Sequence, residues 1–302
     1  MSNLNELHEQ ITRQINVERE KEMADFVAAK RAVNEAATRK ADRAMDALKA
    51  TTGEVERFTA FHERLANDNA QEIERIKKKY ADDPMATKRF PSEHFREQGL
   101  AAAIAPEGTR LLPPSYAAVF STKDDQDKQS GGTGTEVYNY TYIDAWCWAR
   151  GAGNGWFGSG AGSYQVWAEW GYWFYPSVYK YYGIIPHNVF RGFYIVRSDD
   201  GFWTSKYSRA VVSIWTNVWQ YNWKGWSNIN ALDVGGDNID VNDRFDTDRH
   251  TYYSALLGAG DWAYIRNVVG LYVYARGDGS YSELNFAVGA ANYLSAPHVH
   301  IY

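Results

Sequence analysis

Apolar residues recur at intervals of three and four through the first 80 residues, the spacing of helices with one apolar face. The first stripe contains Leu4, Leu7, Ile11 and Ile15, and the second contains Val55, Phe58, Phe61, Leu65, Ile73 and Ile76. Between them, Thr51 and Glu54 fit a capping box, so a first helix is predicted to end near Ala50 and a second to run to Tyr80. Helices this long with so little apolar surface need partners. We expect an antiparallel hairpin, or a single long helix that packs in a coiled coil with other copies.

The pattern changes to short β-rich segments after residue 136. These segments are rich in Val, Ile, Tyr, Trp and Thr and are separated by Gly, Asn, Asp or Pro turns. The predicted strands are Val137–Ala145, Tyr164–Tyr175, Val189–Val196, Ala210–Trp219, Tyr252–Leu257, Trp262–Arg266, Val268–Ala275, Leu284–Val288 and Val299–Tyr302. Since no helical pattern lies between them, an antiparallel β-sandwich of the jelly-roll type is favoured over a parallel α/β sheet.

The predicted fold class is therefore α+β in two parts, with the helical region first and the sandwich second. Residues 1–105 are assigned to a helical stalk or bundle, and residues 137–302 to the sandwich. Residues 106–136, which contain three prolines and a polar, glycine-rich run, are assigned to a connector.

Tryptophan is concentrated in one part of the chain, because eleven of the twelve lie between Trp146 and Trp226. The segment Tyr164–Tyr175 carries aromatic residues at both parities, although a strand with one wet face should alternate apolar and polar positions. We interpret it as a strand that is covered on both faces. The segment from Arg209 to Trp223 differs, because one parity is aliphatic near its middle and the other mixes Trp with Ser, Asn and Arg.

The mixed parity of this second segment predicts a ligand-binding surface. Aromatic rings stack on the C–H faces of sugars, and Tyr hydroxyls and Trp N–H groups add polar contacts. The candidate ligand-binding residues are Trp215, Asn217, Trp219, Tyr221, Trp223 and Trp226. The alternative is that these rings fill a core or contact the helical region.

An acidic segment between Leu232 and Arg249 is a candidate calcium site. Calcium takes six to eight oxygen ligands, and Asp237, Asp240 and Asp243 are the candidate metal ligands. The spacing does not match an EF-hand loop. The competing interpretation is a solvated loop whose carboxylates are neutralised by Arg244 and Arg249.

Three further features carry weaker signals. Glu169 and Glu283 lie in predicted strands and could form the acid pair of a glycoside hydrolase, although no motif supports this. His298 and His300 share a strand face, as metal ligands do, but the sequence shows no third ligand beside them. The single cysteine, Cys147, is predicted to be buried and inert.

Composition excludes some classes of function. A net charge of −5 argues against binding nucleic acid, which needs clustered Lys and Arg. No window approaches the roughly 20 apolar residues of a membrane span. The N-terminus lacks the basic and apolar regions of a signal peptide, so we expect synthesis in the cytoplasm, with any release following a non-classical route.

These observations favour a non-enzymatic recognition or assembly protein without a required cofactor. In this hypothesis a helical region forms a homo-oligomer and presents a sandwich that binds a glycan, a cell surface or a neighbouring subunit. One alternative is a pore-forming or insecticidal-type toxin with a membrane-active helical part. The other is a glycan-active hydrolase.

Overall fold

The structure is a computed structural model of the 302-residue chain. It describes residues 6–7, 9–18, 20–21, 55–81, 109–122, 130–138, 140–151, 160–198, 206–289 and 291–302, with positions 24, 28, 39, 43 and 46. The predicted interruption at residues 51–54 lies outside these residues.

Two antiparallel sheets form most of the described chain. The smaller sheet has the order β2 (Tyr116–Ser121), β5 (Ala161–Phe174), β13 (Ala263–Arg276), β8 (Tyr207–Gln220) and β9 (Asn222–Gly236). The larger has eleven strands, and its main path runs through β1 (Arg110–Leu112), β16 (Val299–Ile301), β6 (Lys180–Arg191), β15 (Tyr293–Ser295), β4 (Tyr142–Arg150), β14 (Tyr281–Phe286), β7 (Phe193–Ser198) and β10 (Ile239–Arg244). Beside that path, β3 (Ser130–Tyr138) pairs with β4, whereas β11 (Thr247–His250) and β12 (Tyr253–Leu257) pair with β6.

The core lies between the two sheets, and on β8 it contains the parity that the sequence shows as aliphatic. On β8 the inward residues Val212 and Ile214 are fully buried, and on β13 so are Leu271 and Val273. Residues from both sheets, including Cys147 of β4, belong to this same cluster. The predicted two-sheet antiparallel sandwich is therefore confirmed, while the jelly-roll connectivity stays a prediction.

The prediction of a long-helix hairpin or coiled coil is wrong. Helix α1 (Val55–Ala81) packs on the outer face of the larger sheet, where its Ile73, Ile76 and Tyr80 are buried. The Tyr80 ring stacks on Phe193 with centroids 5.0 Å apart, and Ile195 belongs to the same cluster. Ile73 and Ile76, the members of the predicted apolar stripe whose side chains the structure describes, are buried as the periodicity indicates. The buried face of α1 contacts the larger sheet and not a second helix. Helical periodicity predicts that one face of a helix is buried, but it does not identify the element that covers this face.

A buried carboxylate adds a polar anchor to this helix–sheet contact. Lys77 Nζ of α1 lies 3.2 Å from Glu283 Oε2 on β14. Trp146 Nε1–H and Asn285 Nδ2–H both donate to Glu283 Oε1, at 2.9 and 2.8 Å, and the Tyr281 hydroxyl donates to Oε2. The carboxylate thus has three neutral donors and a countercharge, which is what a fully buried charge requires.

The helical segment at residues 9–18 packs on the opposite side of the sandwich. Its Ile11 and Ile15 are buried against Trp219 and Tyr264 on the outer face of the smaller sheet. The two described helical segments therefore contact different sheets and do not pack on each other as a hairpin, while the homo-oligomer stays a prediction. No helix in the described part of the chain is long and apolar enough to cross a membrane.

Strands also form where the sequence analysis placed a connector or a loop. Residues 110–112 and 116–121 form β1 and β2, because Leu112, Ala117 and Val119 pack against the core. The acidic segment between Leu232 and Arg249 spans the end of β9, all of β10 and most of β11. Since β9 and β10 end their sheets, their polar composition suits strands with an exposed edge.

Candidate functional site

The turn between β8 and β9 places one aromatic side chain in solvent. Tyr221 has a φ of 64° and is 64% exposed. Left-handed backbone is an outlier for a bulky residue, so the surrounding contacts must hold it. The Tyr221 hydroxyl donates to the Asp261 carboxylate. This hydrogen bond is the main cause that raises the pKa of Tyr221, so the phenol stays a neutral donor at physiological pH.

A glutamine ties this turn to the loop between β12 and β13. Gln220 Nε2–H donates to the carbonyl oxygens of Gly258 and Asp261, at 3.0 and 3.1 Å. In return, Gly258 N–H donates to Gln220 Oε1 at 2.7 Å. The buried side chain thereby fixes two neighbouring turns relative to each other.

Two more aromatic residues border the same loop. The Tyr175 hydroxyl donates to the Gly260 carbonyl at 2.8 Å, and its ring meets Trp262 edge-on with centroids 5.1 Å apart. Tyr175 is 45% exposed. We call Tyr175, Tyr221 and Trp262 the aromatic tip, because all three lie at the end of the smaller sheet.

A bulge on the edge strand β9 lies beside the aromatic tip. The pairing of β8 with β9 shifts register between Asn217 and Trp219, and Gly225 at the bulge has a φ of 117°. Beyond it, Trp226 is 62% exposed, and Asn228 is exposed two residues further on the same strand face. β9 therefore offers a ring and an amide side by side.

The structure brings some of the predicted ligand-binding residues together and separates others. Trp226 and Asn217 are direct cross-strand partners on the outer face, although the Asn217 side-chain oxygen is buried. Trp219 and Trp223 also pair directly, but they lie against the N-terminal helical segment. The six predicted residues thus divide into an exposed group and a covered group.

The remaining predicted residue, Trp215, lies on the outer face, and its ring covers Gly270 of β13. A Cβ built at Gly270 would lie 2.7 Å from carbons of the Trp215 ring, so this glycine provides the space that the indole occupies. Trp215 is half-buried as a result.

The segment Tyr164–Tyr175 is covered on both faces up to its exposed last residue, in agreement with the interpretation of its two aromatic parities. Trp170 and Tyr172 of β5 are fully buried in the core between the sheets. On the outer face, Trp167 is buried, and Trp173 packs against the cluster that Ile11 and Ile15 form with Tyr264. Most of this strand is therefore structural.

The two strand glutamates do not form an acid pair. Glu283 lies on the outer face of the larger sheet, where the residues around it and α1 bury it completely. Glu169 lies on the outer face of the smaller sheet, 1% exposed, with Oε2 2.8 Å from Arg266 Nη2. Because the sandwich core separates these faces, the carboxylates cannot flank one glycosidic bond.

The three predicted calcium ligands do not converge on one strand face. Asp240 and Asp243 are three residues apart on β10 and so point to opposite faces. Asp240 Oδ2 lies 3.0 Å from Arg197 Nη2, and Asp237 lies in the turn between β9 and β10. A calcium site here stays a prediction that the pairing of these strands does not favour.

Four histidines converge on the outer face of the larger sheet. His250 of β11 and His187 of β6 are cross-strand partners with ring centroids 4.6 Å apart. On the other side of β6, His187 N–H donates to the His298 carbonyl at 3.0 Å, and His300 follows two residues later. We call these four residues the histidine cluster. Sequence reasoning found the shared face of His298 and His300 but missed His187, because only the strand register makes it their neighbour.

Comparisons with known proteins find no matching family model and no matching curated protein. Among solved structures, the chain is similar to an isomalto-dextranase of Arthrobacter globiformis T6 complexed with panose, at 12% identity and a TM-score of 0.19, over 64% of this chain and 23% of that one. It is also similar to a family 61 carbohydrate-binding module in complex with β-1,4-galactotriose, at 9% identity and a TM-score of 0.18, over 61% of this chain and 90% of that one. A third is a family 35 carbohydrate-binding module from Clostridium thermocellum, at 10% identity and a TM-score of 0.16, over 64% of this chain and 97% of that one. TM-scores this low carry no inference about the function of this chain.

Proposed function

We propose that this protein is a non-catalytic glycan-recognition protein, and that the aromatic tip and Trp226 form its binding surface. The observation that carries the proposal is the exposure of Tyr221 and Trp226, at 64% and 62% of their surfaces. Several other aromatic side chains of the smaller sheet are buried in the core or lie under the N-terminal helical segment. An exposed ring that the backbone holds in place is available to a ligand at little entropic cost.

The chemistry around these rings suits a sugar. An aromatic face binds the C–H face of a pyranose, and neighbouring polar groups bind its hydroxyls. Asn228 lies beside Trp226, Lys224 Nζ lies 5.9 Å from the centre of the Tyr221 ring, and Asp261 accepts from the Tyr221 hydroxyl. Amide, ammonium and carboxylate groups are thus within reach of one ligand that spans the β8–β9 turn.

The non-catalytic part of the proposal rests on the two strand glutamates. Glu283 is fully buried and both of its carboxylate oxygens accept hydrogen bonds, and Glu169 is buried against Arg266. Neither carboxylate faces the aromatic tip with a second acid, and a glycoside hydrolase needs that arrangement.

The test measures binding of the full chain to an array of neutral and acidic oligosaccharides, followed by titration of the best ligand. Replacing Trp226 with alanine should weaken binding by about 10- to 30-fold, the effect of losing one central aromatic contact. Tyr221→Ala should have a similar effect, because it also releases Asp261. The matched control is Tyr140→Ala, which removes a tyrosine that is 55% exposed in the β3–β4 turn of the other sheet.

Two results would contradict the proposal. One is that the wild-type chain binds no oligosaccharide on the array. The other is that the double variant of Tyr221 and Trp226 retains wild-type affinity, which would move any glycan site elsewhere on the protein.

A further inference from the structure

The histidine cluster places four imidazoles on one patch of the larger sheet. His187 lies on β6, with His250 of β11 on one side of it. On the other side are His300 of β16 and His298, which directly precedes β16. Four of the seven histidines of the chain therefore lie together, although up to 113 positions separate them in sequence.

Three of these residues have the spacing of a ligand set. His187, His298 and His300 each offer a ring nitrogen, and these nitrogens all lie within 4.8 Å of one another. The Nε2 atoms of His298 and His300 are 2.9 Å apart. Two imidazole nitrogens on a tetrahedral zinc ion are about 3.3 Å apart, given Zn–N bonds of about 2.0–2.1 Å. The third nitrogen, within 4.8 Å of the other two, would have to approach to that distance when an ion binds.

The burial of the three residues matches a site that an ion can enter from one side. His298 is 1% exposed, and the His187 side chain is 22% exposed. His300 is also half-buried. The surrounding residues hold the nearly buried His298 in place, and the half-buried His187 and His300 leave the site open to solvent on one side.

A carboxylate supports one of the three imidazoles. Asp248 Oδ2 lies 3.2 Å from His187 Nε2, and Arg191 Nη1 donates to Asp248 Oδ1 at 2.9 Å. In a neutral imidazole this contact places the proton on Nε2 and the lone pair on Nδ1. A carboxylate that orients a histidine in this way is a recurrent feature around zinc ligands.

We propose that His187, His298 and His300 form a binding site for one divalent transition-metal ion of the zinc class, with Asp248 as the positioning residue for His187. Imidazole ligands select zinc, copper, nickel and cobalt over calcium and magnesium. Three protein ligands leave the fourth tetrahedral position to water or to another donor. The bound ion would link β16 to the middle of β6 and so fasten the C-terminal strand to the sheet.

This site is separate from the proposed glycan surface. The histidines lie on the outer face of the larger sheet, whereas the aromatic tip lies at the end of the smaller sheet. The two proposals therefore succeed or fail independently.

The test is a titration of the metal-stripped, untagged full chain with Co²⁺, followed by visible absorption, and with Zn²⁺, followed by calorimetry. We expect one ion per chain and the visible spectrum of tetrahedral cobalt. His187→Asn and His300→Gln should each weaken Zn²⁺ binding at least 100-fold, and Asp248→Asn should weaken it by about 10- to 100-fold. Circular dichroism of each variant shows whether the fold is retained, and His300→Gln, at a half-exposed position, is the variant least expected to disturb it.

The matched control is His250→Phe, which keeps a ring against His187 but removes both nitrogens. It should bind Zn²⁺ as the wild type does. The proposal is overturned if the wild-type chain shows no saturable 1:1 binding, because the cluster would then be a set of hydrogen-bonded histidines only. It is also overturned if folded His187→Asn and His300→Gln variants retain the affinity, or if His250→Phe abolishes it.

Discussion

The contact between Lys77 and Glu283 gives the sharpest test of how α1 docks on the larger sheet. Lys77→Met keeps most of the length of the side chain and removes its charge. Glu283 is then left 1% exposed with three neutral donors and without the ammonium group that lies 3.2 Å away. The change therefore isolates the electrostatic part of the helix–sheet contact.

The expected magnitude follows from the geometry. Two unit charges at this separation attract by about 5 kcal/mol at an effective dielectric constant of about 20. The Lys77 side chain is 26% exposed and its Nζ also lies 3.2 Å from Glu74, so solvent and a second carboxylate screen part of this attraction. Removing one partner of a well-buried pair costs about 3–5 kcal/mol, and we reduce this to about 2–3 kcal/mol for the partly exposed lysine.

Urea unfolding measures the effect, with Lys78→Met as the matched control. Lys78 is the next residue of α1 and is exposed, so its replacement should change the free energy of unfolding by less than about 0.5 kcal/mol. Glu283→Gln alone should cost about 2–4 kcal/mol, because it places an amide among hydrogen-bond donors. In the double variant the two losses should overlap by at least about 1 kcal/mol.

A coupling energy below about 0.5 kcal/mol would refute this reasoning, since sites that do not touch are additive within that limit. Such a result would mean that α1 does not rest on β14 in solution. The predicted helical stalk, which the structure contradicts, would give the same additivity.

Two further predictions concern the N-terminal segment and a tight strand junction. Ile11→Asp combined with Ile15→Asp should undock the segment at residues 9–18 and speed its hydrogen–deuterium exchange, whereas Val17→Asp, at a position 68% exposed, should leave exchange unchanged. Equal exchange in both variants would show that the segment is not docked. Gly192→Ala should destabilise the fold by about 1–3 kcal/mol in thermal unfolding, because its Cβ would overlap a ring carbon of Phe286, which is buried on β14. Gly236→Ala, whose Cβ would meet side chains at 3.5 Å, is the control, and an equal loss in both would remove the steric explanation.

The sequence predicted the features that depend on local alternation. The inward parity of β8 is predicted correctly, because a strand repeats every two residues and a buried face selects apolar side chains. The two covered faces of Tyr164–Tyr175 follow from the same rule. In each case the evidence lies within one strand.

Features that depend on strand pairing could not be predicted from the sequence. The sequence places Glu283 in a strand, but nothing near it indicates that Lys77, some 200 positions earlier, supplies its countercharge. His187 likewise meets His298 only through the pairing of β6 with the end of the chain. The polar edge strands β10 and β11 were missed for another reason, because Asp and Asn are depleted in strands and read as loop signals.

The two covered outer faces change how the aromatic content should be interpreted. Each sheet carries aromatic residues on its outer surface, and in each case a helical segment buries some of them, as at Phe193 beneath α1 and at Trp219 beneath residues 9–18. An aromatic parity on these strands is therefore explained by intramolecular packing and does not by itself indicate a ligand. Exposure is the more selective criterion, and it leaves Tyr221 and Trp226 as the members of the predicted set that a partner can reach. The double variant Ile11→Asp and Ile15→Asp should also expose Trp219 and Trp223, because it undocks residues 9–18. Its glycan affinity should exceed that of the wild type only if these two rings extend the binding surface around Tyr221 and Trp226.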